Sequence, residues 1–293
     1  MELEHSYIET NGIRLHVVQA GPKSGAPVML LHGFPEFWYG WRKQIPALAA
    51  AGYRVIVPDQ RGYNLSAKPK DKEAYRVSAL VDDILGLIAA LDYEKVNLVG
   101  HDWGGGVAWT LAATHPQKLH KLAILNSPHP TVYRRFLRRD PDQIRRSWYW
   151  LFFQLPRLAE AALSADEYRA LVRSLRGSSG GSQLTQEEIR RYKEAWSQPG
   201  ALTAMLNWYR AAFQSPPAML PDEHIAVRTL MMWGVKDPAL THRLARLSMD
   251  YCDDRNLIFF PESTHWVQRD SADEVNHYLI DFLQDSITRR VMK

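Results

Sequence analysis

The chain is 293 residues long and has a single cysteine, Cys252. No internal disulfide framework is possible, and a reducing compartment suits it. It lacks any apolar stretch near the ~20 residues of a membrane-spanning helix. Its first residues, MELEHSYIETNG, contain no basic segment followed by an apolar run, so neither a signal peptide nor a membrane anchor is expected and a cytoplasmic location is. Charge of one sign is scarce as well: 36 Lys and Arg against 32 Asp and Glu leave +4. The pI near 9.1 reflects that small excess, and a nucleic-acid footprint would need it clustered on one face. Internal repeats are missing, and the one biased stretch, the Gly/Ser run at 177–182, reads as a mobile loop. Hydrophobic residues at 46% and charged residues at 23% exclude a disordered chain.

What is abundant is aromatic: ten Trp, 13 Tyr and nine Phe, many of them clustered. Most buried aromatics are plain core, but a chain this rich can also line a large apolar pocket. The N-terminus reads as a hairpin, with Asn11-Gly12 as a type I′ turn before the alternating Ile13, Leu15 and Val17. Short apolar runs follow at 28–31, 53–58, 96–100 and 122–125, separated by helical patterns at 41–51, 77–91 and 105–115. Continuous apolar strands alternating with helices predict an α/β fold, a mostly parallel central sheet with helices on both faces. The rhythm stops from about 131 to 221, a stretch rich in Arg, aromatics and helix formers. It resumes with strands at 229–233 and 257–260 and an amphipathic helix at 273–284. The expected organisation is a core at 1–130, a helical cap inserted at 131–221, and the rest of the core at 222–293.

The sequence VNLVGHDWGG at 96–105 is a buried strand, a Gly-flanked sharp turn and a helix start. This is the setting of a nucleophile elbow, G-x-S-x-G, with aspartate in the serine's place. The exchange decides the chemistry. Serine opening an epoxide or displacing a halide would form a stable ether, whereas a carboxylate forms an ester that water can cleave again. The helix start also favours an anion at Asp102; an ordinary helix N-cap is the bland alternative. Upstream, His32-Gly33-Phe34-Pro35 follows another strand, where the amides of Phe34 and Trp103 are candidate oxyanion donors. Asp237 follows the strand at 229–233 and His265 follows the strand at 257–260. Asp102, Asp237 and His265 thus stand in the chain order nucleophile, acid, histidine. Breaking an epoxide also needs a donor to its oxygen, and a neutral phenol is suitable. The cap offers Tyr149 in SWYW and Tyr209 in NWYR, although either alone would also serve as cap packing.

These residues resemble the epoxide hydrolases of the α/β-hydrolase fold along nearly the whole chain. The likeness runs through HGFPEFWYGWR at 32–42, DQRGYNLS at 59–66, GHDWGGGVAW at 100–109, NSPHP at 126–130, NWYR at 207–210, WGVKDPAL at 233–240 and STHW at 263–266. The resemblance implies an α/β-hydrolase fold with Asp102 as nucleophile, Asp237 and His265 as its charge-relay pair, and Tyr149 and Tyr209 as ring-opening acids. Tyr133, Tyr168 and Tyr192 are rivals of Tyr149, whose match is looser. Glu36 and His101 are expected to hold the hydrolytic water or pass on its proton. The aromatic excess at Trp38, Trp41, Trp103, Phe152, Phe153 and Trp266 argues for an apolar substrate, with Trp38, Phe152, Phe153 and Trp266 expected to line the pocket. Neither metal nor cofactor is required.

Relatives with the same aspartate, the haloalkane and haloacid dehalogenases, supply the alternative. Haloalkane dehalogenases carry a polar N–H donor where this chain has Phe34, and fluoroacetate dehalogenases carry Arg where it has Trp103. A non-catalytic small-ligand-binding protein on the same fold would lack some of these groups. Expected partners are an apolar epoxide and water, with no nucleic acid or membrane, in a monomer or homodimer. The arginines at 134, 135, 138, 139, 145 and 146 read as a solvated helical face, because no stacking aromatics alternate with them.

Overall fold

The structure, a computed structural model, describes residues 2–176, 184–214 and 223–286. The Gly/Ser stretch at 177–182 and the expected core boundary near 221 lie outside those residues. At the N-terminus β1 (Glu4–Thr10) and β2 (Ile13–Ala20) form the anticipated hairpin. Thr10 pairs with Ile13, and Asn11 and Gly12 both have positive φ, as a type I′ turn requires. Six further strands follow: β3 (Pro27–Leu31), β4 (Arg54–Pro58), β5 (Val96–His101), β6 (Leu119–Leu125), β7 (Thr229–Gly234) and β8 (Arg255–Phe260). The eight strands lie in the order β1-β2-β4-β3-β5-β6-β7-β8. β1–β2 and β2–β4 are antiparallel, and every other pair is parallel.

Burial explains the strand sequences. Every residue of β4, β5 and β7 is buried, so these strands are apolar on both faces. One face is covered by α1 (Gln44–Ala50) and α12 (Ala272–Leu283), which pack on each other, and α2 (Val77–Ala90) packs with α3 (Trp103–Thr114). A buried Val, Leu or Ile contributes about 1.5–3 kcal/mol, and Val99, Leu122, Ile124, Leu230 and Met231 are all fully buried. The strands therefore hold their register firmly: Leu31 lies opposite Gly100, His101 opposite Leu125, and Trp233 opposite Phe259. Because β3 and β5 to β8 run parallel, their carboxyl ends meet at one edge. The loops after them carry Phe34, Asp102, Asn126, Asp237 and His265.

Between β6 and β7 the described residues form six helices: α4 (Pro130–Arg139), α5 (Pro141–Arg146), α6 (Trp148–Phe153), α7 (Leu158–Arg176, broken at Ala165–Tyr168), α8 (Gln186–Trp196) and α9 (Ala201–Gln214). They are fastened to the core by polar atoms on large side chains. Trp196 Nε1 donates to the Pro35 carbonyl (2.6 Å), Tyr192 Oη to Glu36 (2.8 Å), Trp208 Nε1 to the Arg61 carbonyl (2.9 Å) and Arg42 to Glu188 (2.6 Å). Part of the aromatic excess is thus explained: these rings bury area and end in a donor for a core carbonyl or carboxylate. After β7 come α10 (Arg243–Met249) and, beyond β8, the short α11 (Val267–Asp270). No helix among the described residues is long and apolar enough to cross a membrane.

The start of α3 must approach β3 closely, and glycine permits it: a Cβ on Gly104 would overlap the carbonyl group of Leu31. Gly104→Ala should therefore push α3 off the sheet. Overpacking of this kind costs about 1–3 kcal/mol, which in a chain of this size lowers Tm by roughly 2–12 °C. Thermal unfolding followed by circular dichroism measures it, and an unchanged Tm would show the contact to be soft.

Candidate active site

Asp102 sits in the sharp turn between β5 and α3 with φ 51° and ψ −121°, a conformation that costs a non-glycine residue about 1–3 kcal/mol. The turn is held from outside: the Asp102 carbonyl accepts from Ser127 Oγ (2.7 Å) and from the Gly106 amide (3.1 Å). The next residue, Trp103, opens α3, so its amide is one of the helix's unpaired N-terminal donors. Opposite lies the loop after β3, where the Phe34 amide donates to Asp102 Oδ1 at 2.8 Å. Gly33 makes that approach possible, because a Cβ there would overlap Asp102 itself.

His265 Nδ1 lies 2.6 Å from Asp237 Oδ2, and its Nε2 lies 3.5 Å from Asp102 Oδ2. The imidazole is thus flanked by two carboxylates, and the three residues expected to act together do meet. Asp237 is fully buried and fully satisfied: Oδ1 accepts from the amides of Ala239 (2.8 Å) and Leu240 (2.9 Å), and Oδ2 also accepts from Asn126 Nδ2 (2.8 Å). Burial disfavours a charged His265, but the Asp237 charge and then Asp102 outweigh it and push its pKa up to about 10. Burial likewise opposes ionisation of Asp102, and the His265 cation holds its carboxyl below the usual carboxylate range. The resting site is therefore an ion pair of Asp102 carboxylate and His265 imidazolium.

Above Asp102 the inserted helices close a cavity of about 350 Å³. Its walls include Trp103, Tyr133, Leu137, Tyr149, Trp150, Tyr209, Phe213 and Leu240. Tyr209 is packed edge-on to Trp103 (5.0 Å between ring centres) and Phe34 (5.3 Å), which puts it over both oxyanion candidates. The Tyr149 ring lies 6.0 Å from it. α6 and α9, which carry the two, are bound together by the buried Arg210: it donates to the Phe153 carbonyl (2.9 Å) and pairs with Glu160 (2.7 and 3.1 Å). Burial, joined by the Asp102 charge, raises both phenols well above their ordinary pKa, so they are neutral donors at any working pH. Among the rivals, Tyr192 is engaged with Glu36 and Tyr168 packs on Trp196, both away from the cavity, whereas Tyr133 lines it.

The four residues expected to line the pocket do not. Trp38 is buried beside the loop of Asp59, whose Oδ1 accepts from its amide (2.9 Å), with its ring against Phe37 and His5. Trp266 donates to the Ser174 carbonyl (2.9 Å) and packs on His101 and His265. Phe153 stands behind Tyr209 and Phe34 as support, and Phe152 packs on Phe153 and Trp148. Trp41 is buried core. The walls come instead from faces of α3, α4, α6 and α9, which sequence clustering of aromatics does not reveal.

Glu36 and His101 are both buried and neither lines the cavity. His101 Nε2 meets the His265 carbonyl (2.9 Å) while Gln268 Nε2 bridges His101 Nδ1 (3.2 Å) and Glu36 (3.0 Å). Burial and the nearby His265 cation drive the His101 pKa down to about 3, so it is neutral, and burial raises that of Glu36. The pair fixes the backbone of His265 from behind. Sequence reasoning missed Asn126, which ties the end of β6 to Asp237 and to both the amide (2.8 Å) and carbonyl (3.2 Å) of Gly234. Its sequence signals were the NSPHP match at 126–130 and a polar residue directly after a buried strand. The arginine run is also more than a solvated face. Arg146 donates to the carbonyls of Asp237 (2.9 Å) and Pro238 (3.3 Å), and Arg134 lines the cavity and pairs with Glu223 (3.2 Å). No cluster of metal-binding side chains occurs among the described residues.

The α/β hydrolase fold family matches residues 26–272. The chain is 47% identical over 279 residues to the AB hydrolase superfamily protein YfhM of Bacillus subtilis, covering 95% of this chain and 97% of that one. It is 38% identical over 294 residues to epoxide hydrolase 4 of Mus musculus, covering 98% and 81%. A crystal structure of Bacillus megaterium epoxide hydrolase with an inhibitor superimposes with a TM-score of 0.87 at 30% identity, covering 95% of this chain and all of that one.

The ion pair has a pH signature. His265 has a folded-state pKa of about 10 against about 6.5 unfolded. Its stabilising contribution is therefore complete below pH 6.5 and disappears as pH rises through 10. The Tm advantage of the wild type over His265→Gln should accordingly be largest near pH 6 and shrink steadily by pH 10. Paired thermal melts at three pH values measure it, and a constant gap would refute the ion pair.

Proposed function

The chain belongs to the α/β-hydrolase fold family, among its epoxide hydrolases, and from that premise we propose that it converts an apolar epoxide and water to a vicinal diol through a covalent ester on Asp102. The observation that carries the residue assignment is the placing of one imidazole between two carboxylates beneath a cavity lined by neutral phenols.

In the first half-reaction Asp102 attacks an epoxide carbon. The Phe34 amide holds Oδ1, which leaves Oδ2 as the nucleophile. As the new C–O bond forms, the ring C–O bond breaks and negative charge moves to the epoxide oxygen. Tyr149 and Tyr209 hydrogen-bond that oxygen, stabilising charge that exists only in the transition state and after it. Alkylation then changes the electrostatics. Esterified Asp102 is neutral, so one of the two charges that raise the His265 pKa is gone. The imidazolium gives up its proton, which neutralises the alkoxide, and His265 becomes a base.

In the second half-reaction His265, oriented by Asp237, takes a proton from water, which attacks the Asp102 carbonyl carbon. Oδ1 becomes the oxyanion and is already placed against the Phe34 amide, with the Trp103 amide as second donor. Collapse expels the diol and restores the carboxylate. Three phenols in a mostly apolar wall favour this reading over dehalogenation, since a departing halide has no need of a proton and the loop position that would offer it an N–H side chain is Phe34.

Asp102→Ala should abolish diol formation from an aryl epoxide such as styrene oxide, and retained activity would sink the covalent route. His265→Gln should stall at the ester, so its intact mass should rise by one epoxide after mixing with substrate. Tyr209→Phe should slow ring opening by about 10²-fold, and an unchanged single-turnover rate would remove it from the site.

A further inference from the structure

His32 opens the loop of the oxyanion donors, and the two half-reactions leave its side chain without a task. The residue directly follows β3 and is fully buried. Gln60, in the loop after β4, holds it at two points. The Gln60 backbone amide donates to His32 Nε2 (3.0 Å), and Gln60 Nε2 donates to the His32 carbonyl (2.5 Å). Tyr63, from the same loop, packs edge-on against the imidazole with 4.7 Å between ring centres. The other ring nitrogen, Nδ1, lies 3.1 Å from the Gly33 carbonyl oxygen.

These contacts leave one tautomer. A backbone N–H can only donate, so Nε2 presents its lone pair to Gln60. Burial holds the His32 pKa below the usual imidazole range. The ring is therefore neutral, and its single N–H is on Nδ1. That proton is donated to the Gly33 carbonyl, which also accepts from the Glu36 amide (2.9 Å). The Gly33 carbonyl and the Phe34 N–H belong to one peptide group, and that N–H donates to Asp102 Oδ1 at 2.8 Å. Hydrogen bonds accepted at the carbonyl of a peptide draw electrons from its nitrogen and strengthen the donor at the other end.

We propose that His32 is a positioning residue for ester hydrolysis: as the Nδ1–H tautomer held by Gln60, it orients and polarises the Gly33–Phe34 peptide, so that the Phe34 amide binds the oxyanion formed at Asp102 Oδ1. The inference rests on the covalent route through Asp102. The charge on Oδ1 decides which half-reaction gains. That oxygen belongs to a carboxylate in the resting site, a carbonyl in the alkyl ester and an alkoxide in the tetrahedral intermediate. A stronger amide donor gives nothing to alkylation, in which this charge declines, and stabilises the hydrolytic transition state, in which it grows.

Single-turnover mixing of the full chain with styrene oxide, with the ester followed by intact mass after rapid quenching, gives separate rate constants for alkylation and ester hydrolysis. His32→Gln keeps an acceptor for the Gln60 amide but has no donor for the Gly33 carbonyl. It should slow hydrolysis about five- to tenfold, the scale of one lost hydrogen bond, and leave alkylation no slower than in the wild type. His32→Asn, whose amide N–H replaces the Nδ1 donor, should recover most of the hydrolysis rate. Equal slowing of both half-reactions by His32→Gln would make His32 a packing residue and overturn the proposal, as would hydrolysis equally slow in both variants. Nitrogen-15 correlation spectra of the wild-type histidine rings read the tautomer without any substitution. His32 should keep a protonated Nδ1 and an unprotonated Nε2 from about pH 6 to 9; a proton on Nε2 would overturn the proposal even if both variants fail to fold. If the wild type forms no ester at all, the covalent route itself falls, and the inference with it.

Discussion

The structure depends on holding two carboxylates on either side of one imidazole in a site walled by rings. Asp102 and Asp237 together keep His265 cationic against the cost of burial. Neither acid is left to satisfy itself through that one bond. Asp237 takes two amides and Asn126, and Asp102 takes the Phe34 amide. These fixed dipoles keep the geometry of the charges from drifting. They also make the site responsive, because neutralising a single carboxylate is enough to change what His265 can do.

That arrangement is made possible by strand order. Six parallel strands end at one edge, and five of them send a loop into the same small volume. Close contacts then set the distances. Gly104 lets α3 sit against β3, and Gly33 lets the oxyanion loop reach Asp102. The helices inserted after β6 supply the phenols of the cavity wall, and they are pinned to the core at carbonyls and carboxylates rather than only by apolar contact. Through Gln143 and Arg146 they also hold the loop of Asp237. The helices that carry the phenols and the loop of Asp237 are thereby parts of one hydrogen-bonded body.

The strands, the elbow and the order of the triad were legible because each is a local pattern. An apolar run, a Gly-flanked aspartate, and an acid and a histidine after successive strands can all be read along the chain. Tyr209 was legible for the same reason, through its neighbours in NWYR. Trp38, Phe152, Phe153 and Trp266 were misread as pocket wall because aromatic clustering says that rings are buried and not which side of them is open. Asn126 and Gln143 are ordinary polar residues whose importance comes from a partner far away in sequence, and for Asn126 only the NSPHP match marked the position.

By itself the sequence narrowed the reaction class. Aspartate at the elbow suits a nucleophile whose ester water can cleave again. Tertiary structure decided which phenols face the cavity, which rings merely support them, and which distant donors hold the loop of Asp237. The physical reason is range. Covalent reactivity is a property of a side chain and its immediate turn, whereas the direction of a hydrogen bond depends on every donor and acceptor in the network, and here those come from separate helices that only folding brings together.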